Sequence, residues 1–270
     1  MRPMTPTYVL HRQQGATLIV VLIILLIITV VGVLAIRVAI VSLGVATNSQ
    51  IDQLNFQSSD TPLALIAQMK PIDMTNFGNV IGASLREHEN NPGAEYIFCY
   101  QPVSTTAKFA QTKDAIRIRA GTGNDATKEA GSVDGFCNLD SDFGSKRQAV
   151  LTQVAVSVPT DTNNDLPGAN LPRGINVSEG TQLPKSMTSA QRVRVITTAM
   201  LPAYSSTAAS TIQADCLSNA KAKISDNLAS DLSTKQTLAD CLKSKNVPFS
   251  VQVQEFNYIN KLTETTAPGA

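Results

Sequence analysis

The sequence predicts an α+β protein: a long N-terminal helix, membrane-spanning in its first half, packed by its second half on an antiparallel β-sheet head with two disulfides. Three observations carry this reading. An uncharged, strongly apolar stretch runs from Gln13 to Ile36. Helical spacing of apolar residues continues past it and stops at Lys70-Pro71. Beyond that point, short segments of alternating polarity separated by Pro, Gly and Asn take over, with all four cysteines among them.

Composition narrows the function before any motif is considered. The 270 residues hold 22 Lys+Arg against 21 Asp+Glu, a net charge of +1. That balance excludes a polybasic nucleic-acid binder working by release of phosphate counterions. Only 16% of residues are charged, below the roughly 25% of ordinary soluble domains. The two histidines, His11 and His88, are too few for a histidine-rich metal site.

The first element is the apolar helix. Leu18–Ile28 is unbroken aliphatic sequence, and Thr29 and Gly32 are the soft spots before Arg37. About 20 such residues at 1.5 Å each cross the hydrocarbon core of a bilayer. A secretory signal has a shorter apolar core, about 7–15 residues, ending at a small-x-small site. Gly44-Val45-Ala46 has that form but lies too far along, with Arg37 intervening. Arg2 and Arg12 precede the span, so the positive-inside rule favours a cytoplasmic N-terminus with the remainder outside.

The helix is expected to continue through Ile51, Leu54, Ser58, Leu65 and Met69, which recur near the helical period. Pro62 is expected to bend or interrupt it, because proline lacks a donor and clashes with the previous turn. A helix from Ala16 to about Gln68 would be roughly 80 Å long. Asn76–Glu89 should form a short helix before the first strand.

Strands are expected at Tyr96–Tyr100, Ala115–Ala120, Gln148–Pro159, Arg192–Leu201 and Val247–Phe256. Val150, Val154, Val156 and Val158 share one face of theirs. Val193 and Val195 oppose Arg192 and Arg194, and Val247, Phe249, Val251 and Val253 oppose Ser250, Gln252 and Gln254. One apolar and one wet face fit a sheet lying on the helix's second half. Pro159–Pro184 reads as a long polar loop.

Cys99, Cys137, Cys216 and Cys241 permit three connectivities. Sequential pairing is favoured because each pair encloses a self-contained excursion: a strand and loop in the first, short helical turns at Ala214–Ala222 and Leu238–Lys243 in the second. An even count outside the membrane suits oxidative folding in a bacterial periplasm. Zinc ligation fails on spacing, since no Cys-x-x-Cys occurs.

Other chemistry is sparse. Asp161-Thr162-Asn163-Asn164-Asp165 has the alternating oxygens of a calcium loop, but Leu166 and Pro172 stand where glycine and glutamate are needed. Asn138-Leu139-Asp140-Ser141-Asp142 is similarly incomplete, and polar turn chemistry is the expectation for Asp140, Asp142, Asp161 and Asp165. His88 sits in a charged run with no nucleophile or pocket indicated. Gly121-Thr122-Gly123-Asn124 is too short for a phosphate cradle. No Gly-x-Ser-x-Gly occurs, no cofactor is implied, and no enzyme activity is expected. Lys221, Lys223, Lys243 and Lys245 form a mild basic cluster, read as solvated surface with weak DNA contact as the alternative.

The junction Gln13-Gln14-Gly15-Ala16-Thr17-Leu18-Ile19 resembles the class III signal of type IV prepilins. Arg37, Ala46-Thr47-Asn48-Ser49-Gln50 and Gln57-Ser58-Ser59-Asp60 are similar to the N-terminal segment of PilX-type minor pilins, over roughly residues 10–68. The resemblance implies a leader over 1–15, a pilin helix over 16–68 (16–36 transmembrane before assembly) and a periplasmic or extracellular head over 69–270. It implies cleavage by prepilin peptidase between Gly15 and Ala16, and N-methylation of Ala16. Glycine at the cut lets the backbone enter a protease cleft in extended form. Shaft-forming relatives carry glutamate as the fifth mature residue, facing a neighbour's terminal amine; here it is Val20. A buried ammonium without a partner is costly, so valine suits a subunit at the filament tip. By the resemblance, the partners are other minor pilins, the major pilin and a tip adhesin. The place is the inner membrane before assembly and the cell-surface pilus tip afterwards. The roles are priming of assembly, adhesion, twitching motility and DNA uptake. The alternatives are a tip pseudopilin of the type II secretion system, or a periplasmic binding or enzymatic domain on an uncleaved anchor.

Overall fold

The computed structural model describes residues 16–88, 90–102, 111–130, 134–144, 148–161 and 188–261. The chain divides between Gln50 and Ile51 into an N-terminal unit and a head. The first helix, α1 (Ala16–Gln68), supplies the described part of the former and the opening element of the latter.

In the head, α1 is followed by α2 (Pro71–Met74) and α3 (Val80–Glu87). Pro71 suits the first position of α2, where its missing N–H costs nothing. Asn79 caps α3 by accepting from the Ile81 amide at 3.0 Å. Six strands then form one antiparallel sheet: β1 (Glu95–Tyr100), β2 (Ile116–Ala120), β3 (Ala126–Lys128), β4 (Leu151–Ser157), β5 (Thr188–Met200) and β6 (Phe249–Lys261), in the order β3-β2-β1-β4-β5-β6. Between β5 and β6 the chain leaves the sheet to build a lobe around α4 (Ala209–Cys216) and α5 (Leu238–Ser244). Thr237 and Asp240 form a reciprocal capping box at the start of α5.

Strand alternation sorts the core into two layers. Tyr96, Phe98, Val154, Val156, Val193 and Val195 pack with Leu63 and Ile66 of α1 and with Val80 and Ile81 of α3. Their alternates Ile97, Ile116, Ile118, Ala155, Ile196 and Met200 pack with Phe136, Leu139, Ile212, Leu217, Leu238 and Leu242. The sheet is therefore covered on both faces at its centre, and every residue of β4 is buried. This corrects the expectation of one wet face: the second layer is the disulfide-bonded lobe, whose apolar residues are too scattered in sequence to announce it. The lobe stops short of the β6 edge, where Val251 and Val253 are 36% and 49% exposed.

The disulfides are Cys99–Cys137 and Cys216–Cys241, both in the lobe-side layer. The first encloses β2 and the unanticipated three-residue β3. Gly135 passes so close to β1 and β2 that a Cβ would lie 2.3 Å from the Ile116 amide nitrogen and 2.5 Å from the Ile97 carbonyl oxygen. In the second, the expected Ala214–Ala222 turn is instead α4, which ends at Cys216.

Other boundaries shift for local reasons. Gln148 has a positive φ of 51°, so β4 starts at Leu151, three residues after the expected start at Gln148. Pro248 donates no backbone hydrogen bond, and β6 starts after it. β5 and β6 run opposite each other from Thr188↔Lys261 to Met200↔Phe249, longer than the alternation implied. Of the expected Pro159–Pro184 loop, only 159–161 lie among the described residues.

Candidate functional site

The N-terminal unit presents an apolar surface on every side of its helix. From Leu18 to Val45 each Leu, Ile and Val is at least half exposed, and Val20 is 53% exposed. The mean hydropathy of the best window reaches 3.5, and the helix is long and apolar enough to cross a membrane. A helix apolar all round needs a covering of lipid or other helices. Ala16 is the first described residue and is helical; Gly15, Arg2, Arg12 and His11 lie outside the described residues.

Within the head, the helix turns a different face inward. Asn55, Ser59, Pro62, Leu63 and Ile66 are buried, whereas Leu54 and Leu65, expected on that face, are each 38% exposed. The inward seam contains more polar side chains than a count of apolar positions detects. Of the two effects expected of Pro62, a bend or an interruption, the interruption does not occur: α1 runs through it. Its missing N–H frees the carbonyl of Ser58, one turn earlier, and Thr152 Oγ1 of β4 donates to that oxygen at 3.3 Å. Thr197 Oγ1 of β5, fully buried, donates to the adjacent Ser59 carbonyl at 2.6 Å. Two sheet threonines thus grip the helix at its proline.

A charged network ties the lobe to the sheet. Arg194, 2% exposed, donates to Asp226 at 2.6 Å, Asp161 at 2.9 Å and Glu255 at 2.6 Å. Hydrogen bonding to Arg194 holds the Asp161 carboxyl below the usual carboxylate range. Glu95 of β1, 3% exposed, accepts from the backbone amides of Ser225 at 2.8 Å and Asp226 at 3.0 Å. Burial nevertheless pushes its carboxyl up to about 7. Sequence reasoning missed both groups, because an arginine alternating with valines reads the same whether water or a lobe faces it.

The remaining candidates resolve into local structure. Asp161 is engaged by Arg194, and Asp165 lies outside the described residues. Asp142 and Asn138 side chains accept from the amides of Asn138 and Asp140, at 2.8 and 2.9 Å, in a polar turn. His88 Nδ1 meets the Leu85 carbonyl at 2.9 Å. Lys221 and Lys245 both pair with Asp215, whose carboxyl is held down to about 2 by them, and Lys223 pairs with Asp125. Three lysines of the basic cluster are therefore already paired. Among the described residues no group of three His, Cys, Asp or Glu side chains is placed to hold a metal.

The family model described as PilX N-terminal matches residues 14–64. No curated protein and no solved structure matches the chain. The matched span covers the exposed apolar helix and the proline seam, and leaves the sheet, the lobe and both disulfides outside it. Over residues 14–64 the chain is therefore similar to the N-terminal segment of PilX proteins.

Proposed function

We propose that the protein is a non-enzymatic minor pilin of the type IV pilus, anchored in the inner membrane before assembly and carried at or near the filament tip afterwards. The observation that carries this reading is the apolar helix, exposed on all sides from Leu18 to Val45. In water each such Leu, Ile or Val costs about 1.5–3 kcal/mol relative to burial. In lipid or against other apolar helices that cost vanishes, since lipid tails and aliphatic side chains are equally apolar. Transfer from bilayer to helix bundle is thus nearly neutral in hydrophobic energy, and the helix serves first as anchor and then as packing shaft.

Prepilin peptidase cuts between Gly15 and Ala16 in this account, and Ala16 becomes the methylated terminus. Val20 offers no carboxylate to a neighbour's amine, which fits a subunit that primes assembly with other minor pilins and ends up beneath a tip adhesin. From that place the head supports adhesion, twitching motility and DNA uptake. Deleting the gene tests the assignment: loss of surface pili and twitching, with protein secretion intact, is the expected phenotype. Loss of secretion with normal pili would transfer the protein to a type II secretion pseudopilus.

A further inference from the structure

The head contains a cavity of about 430 Å³ beside α3, none of whose lining residues belongs to α1. That size lies within the range of roughly 300–1,000 Å³ typical of small-molecule sites. Among the described residues its charged lining is unbalanced: Arg86, Lys113 and Arg117 face it with one carboxylate, Glu87. Glu87 is already matched by Arg117 at 2.5 Å. Arg86 and Lys113 have no carboxylate partner among the described residues.

Arg86 is held in place without being neutralised. Its guanidinium donates to the backbone carbonyls of Thr75 at 3.0 Å and Asn76 at 3.4 Å, and lies 4.2 Å from the centroid of the Phe77 ring. Gly82 permits this arrangement, since a Cβ there would lie 2.5 Å from the Asn76 carbonyl oxygen. Phe77 is 78% exposed, so much of its ring surface is open to solvent beyond the contact with Arg86. The Tyr96 hydroxyl is sealed from solvent beside Glu87 and Arg117, without good hydrogen-bond geometry to either. The cavity thus combines two cations that lack a carboxylate partner among the described residues, an aromatic ring and a buried phenol.

We propose that this cavity binds a ring-bearing carboxylic acid, its carboxylate held by Arg86 and Lys113 and its ring against Phe77. Arginine's planar fork matches a carboxylate in two parallel hydrogen bonds. A compact ligand is favoured over an extended peptide because the lining strand β2 is already paired on both sides, by β1 and β3, and offers no free edge. The inference is independent of filament assembly and stands or falls on the head alone.

Calorimetric titration of the full chain in detergent micelles tests it with two ring-bearing acids, benzoate and glucuronate. Acetate lacks the ring, methyl benzoate lacks the charge, and an uncapped tripeptide represents the extended alternative. The expected result is saturable binding of at least one ring-bearing acid, with acetate and methyl benzoate each about tenfold weaker. Whichever acid binds better assigns the ligand to aromatic acids or to acidic sugars. Arg86→Ala should weaken binding about tenfold, and Lys113→Ala, at an exposed residue, should weaken it without altering the urea midpoint. No saturable binding of either acid up to about 10 mM overturns the proposal. So does equal binding of methyl benzoate, unchanged binding in both variants, or preference for the tripeptide.

Discussion

Removing the Thr152 hydroxyl should cost stability only while Pro62 is present. Pro62 leaves the Ser58 carbonyl without its intrahelical donor, and Thr152 Oγ1 reaches that oxygen at 3.3 Å. Thr152 is 2% exposed, so little water can replace it. Thr152→Val therefore removes the hydroxyl donor to the carbonyl of the half-buried Ser58, at a cost of about 1–2 kcal/mol. In a Pro62→Ala background the restored backbone N–H satisfies Ser58 from within the helix, and the same substitution should cost below about 0.5 kcal/mol. The double-mutant cycle then returns a coupling of about 1 kcal/mol, with the intrinsic effect of replacing proline subtracted. Urea unfolding of the full chain in micelles, followed by near-ultraviolet dichroism and checked for a constant slope, measures all four variants. Equal costs of Thr152→Val in both backgrounds would refute the idea that the sheet replaces the proline's missing donor.

Three further perturbations probe the charged and covalent ties of the lobe. The Glu95 carboxyl, lifted by burial from 4.5 to about 7, binds its proton more tightly in the folded state. The linked stability is complete below about pH 4.5 and is lost as pH rises through about 7. Unfolding free energy should accordingly fall by roughly 3 kcal/mol across that window, and Glu95→Gln should flatten the profile. Arg194→Leu leaves the buried Asp226 without its cation, while Arg192 still lies 3.7 Å from Asp161 and 3.4 Å from Glu255, and should cost about 3 kcal/mol; a loss below about 1 kcal/mol in urea titration would mean that water reaches the network. Cys216→Ser opens a bond of sequence separation 25 and should cost about 3.5 kcal/mol, and peptide mapping without reductant should find only Cys99–Cys137 remaining.

The elements that depend on local pattern could be read directly from the residues. Unbroken aliphatic sequence and the Lys70-Pro71 stop marked a helix that runs Ala16–Gln68, and alternation marked the faces of β4, β5 and β6. What escaped depends on contacts distant in sequence. Pro62 is tolerated in α1 because threonines 94 and 138 residues beyond the carbonyls of Ser58 and Ser59 donate to them, and no local rule contains them. The buried face of residues 51–68 was misjudged because Asn55 and Ser59 are polar yet enclosed, with Ser59 bonded to its own helix at the Phe56 carbonyl. Arg194 alternates with valines as a solvent-facing residue would, and only the lobe's Asp226 shows otherwise. The cavity at Arg86 and Lys113 joins α3 to the segment before β2, a juxtaposition that periodicity does not encode.

The mass of the mature chain, purified from the membranes of its own host, tests the central claim most directly. The account requires a polypeptide beginning at N-methylated Ala16, with the apolar helix intact behind it. An unprocessed leader, or a cut near Ala46 that discards the helix, would contradict a greasy segment kept as the docking element of a fibre.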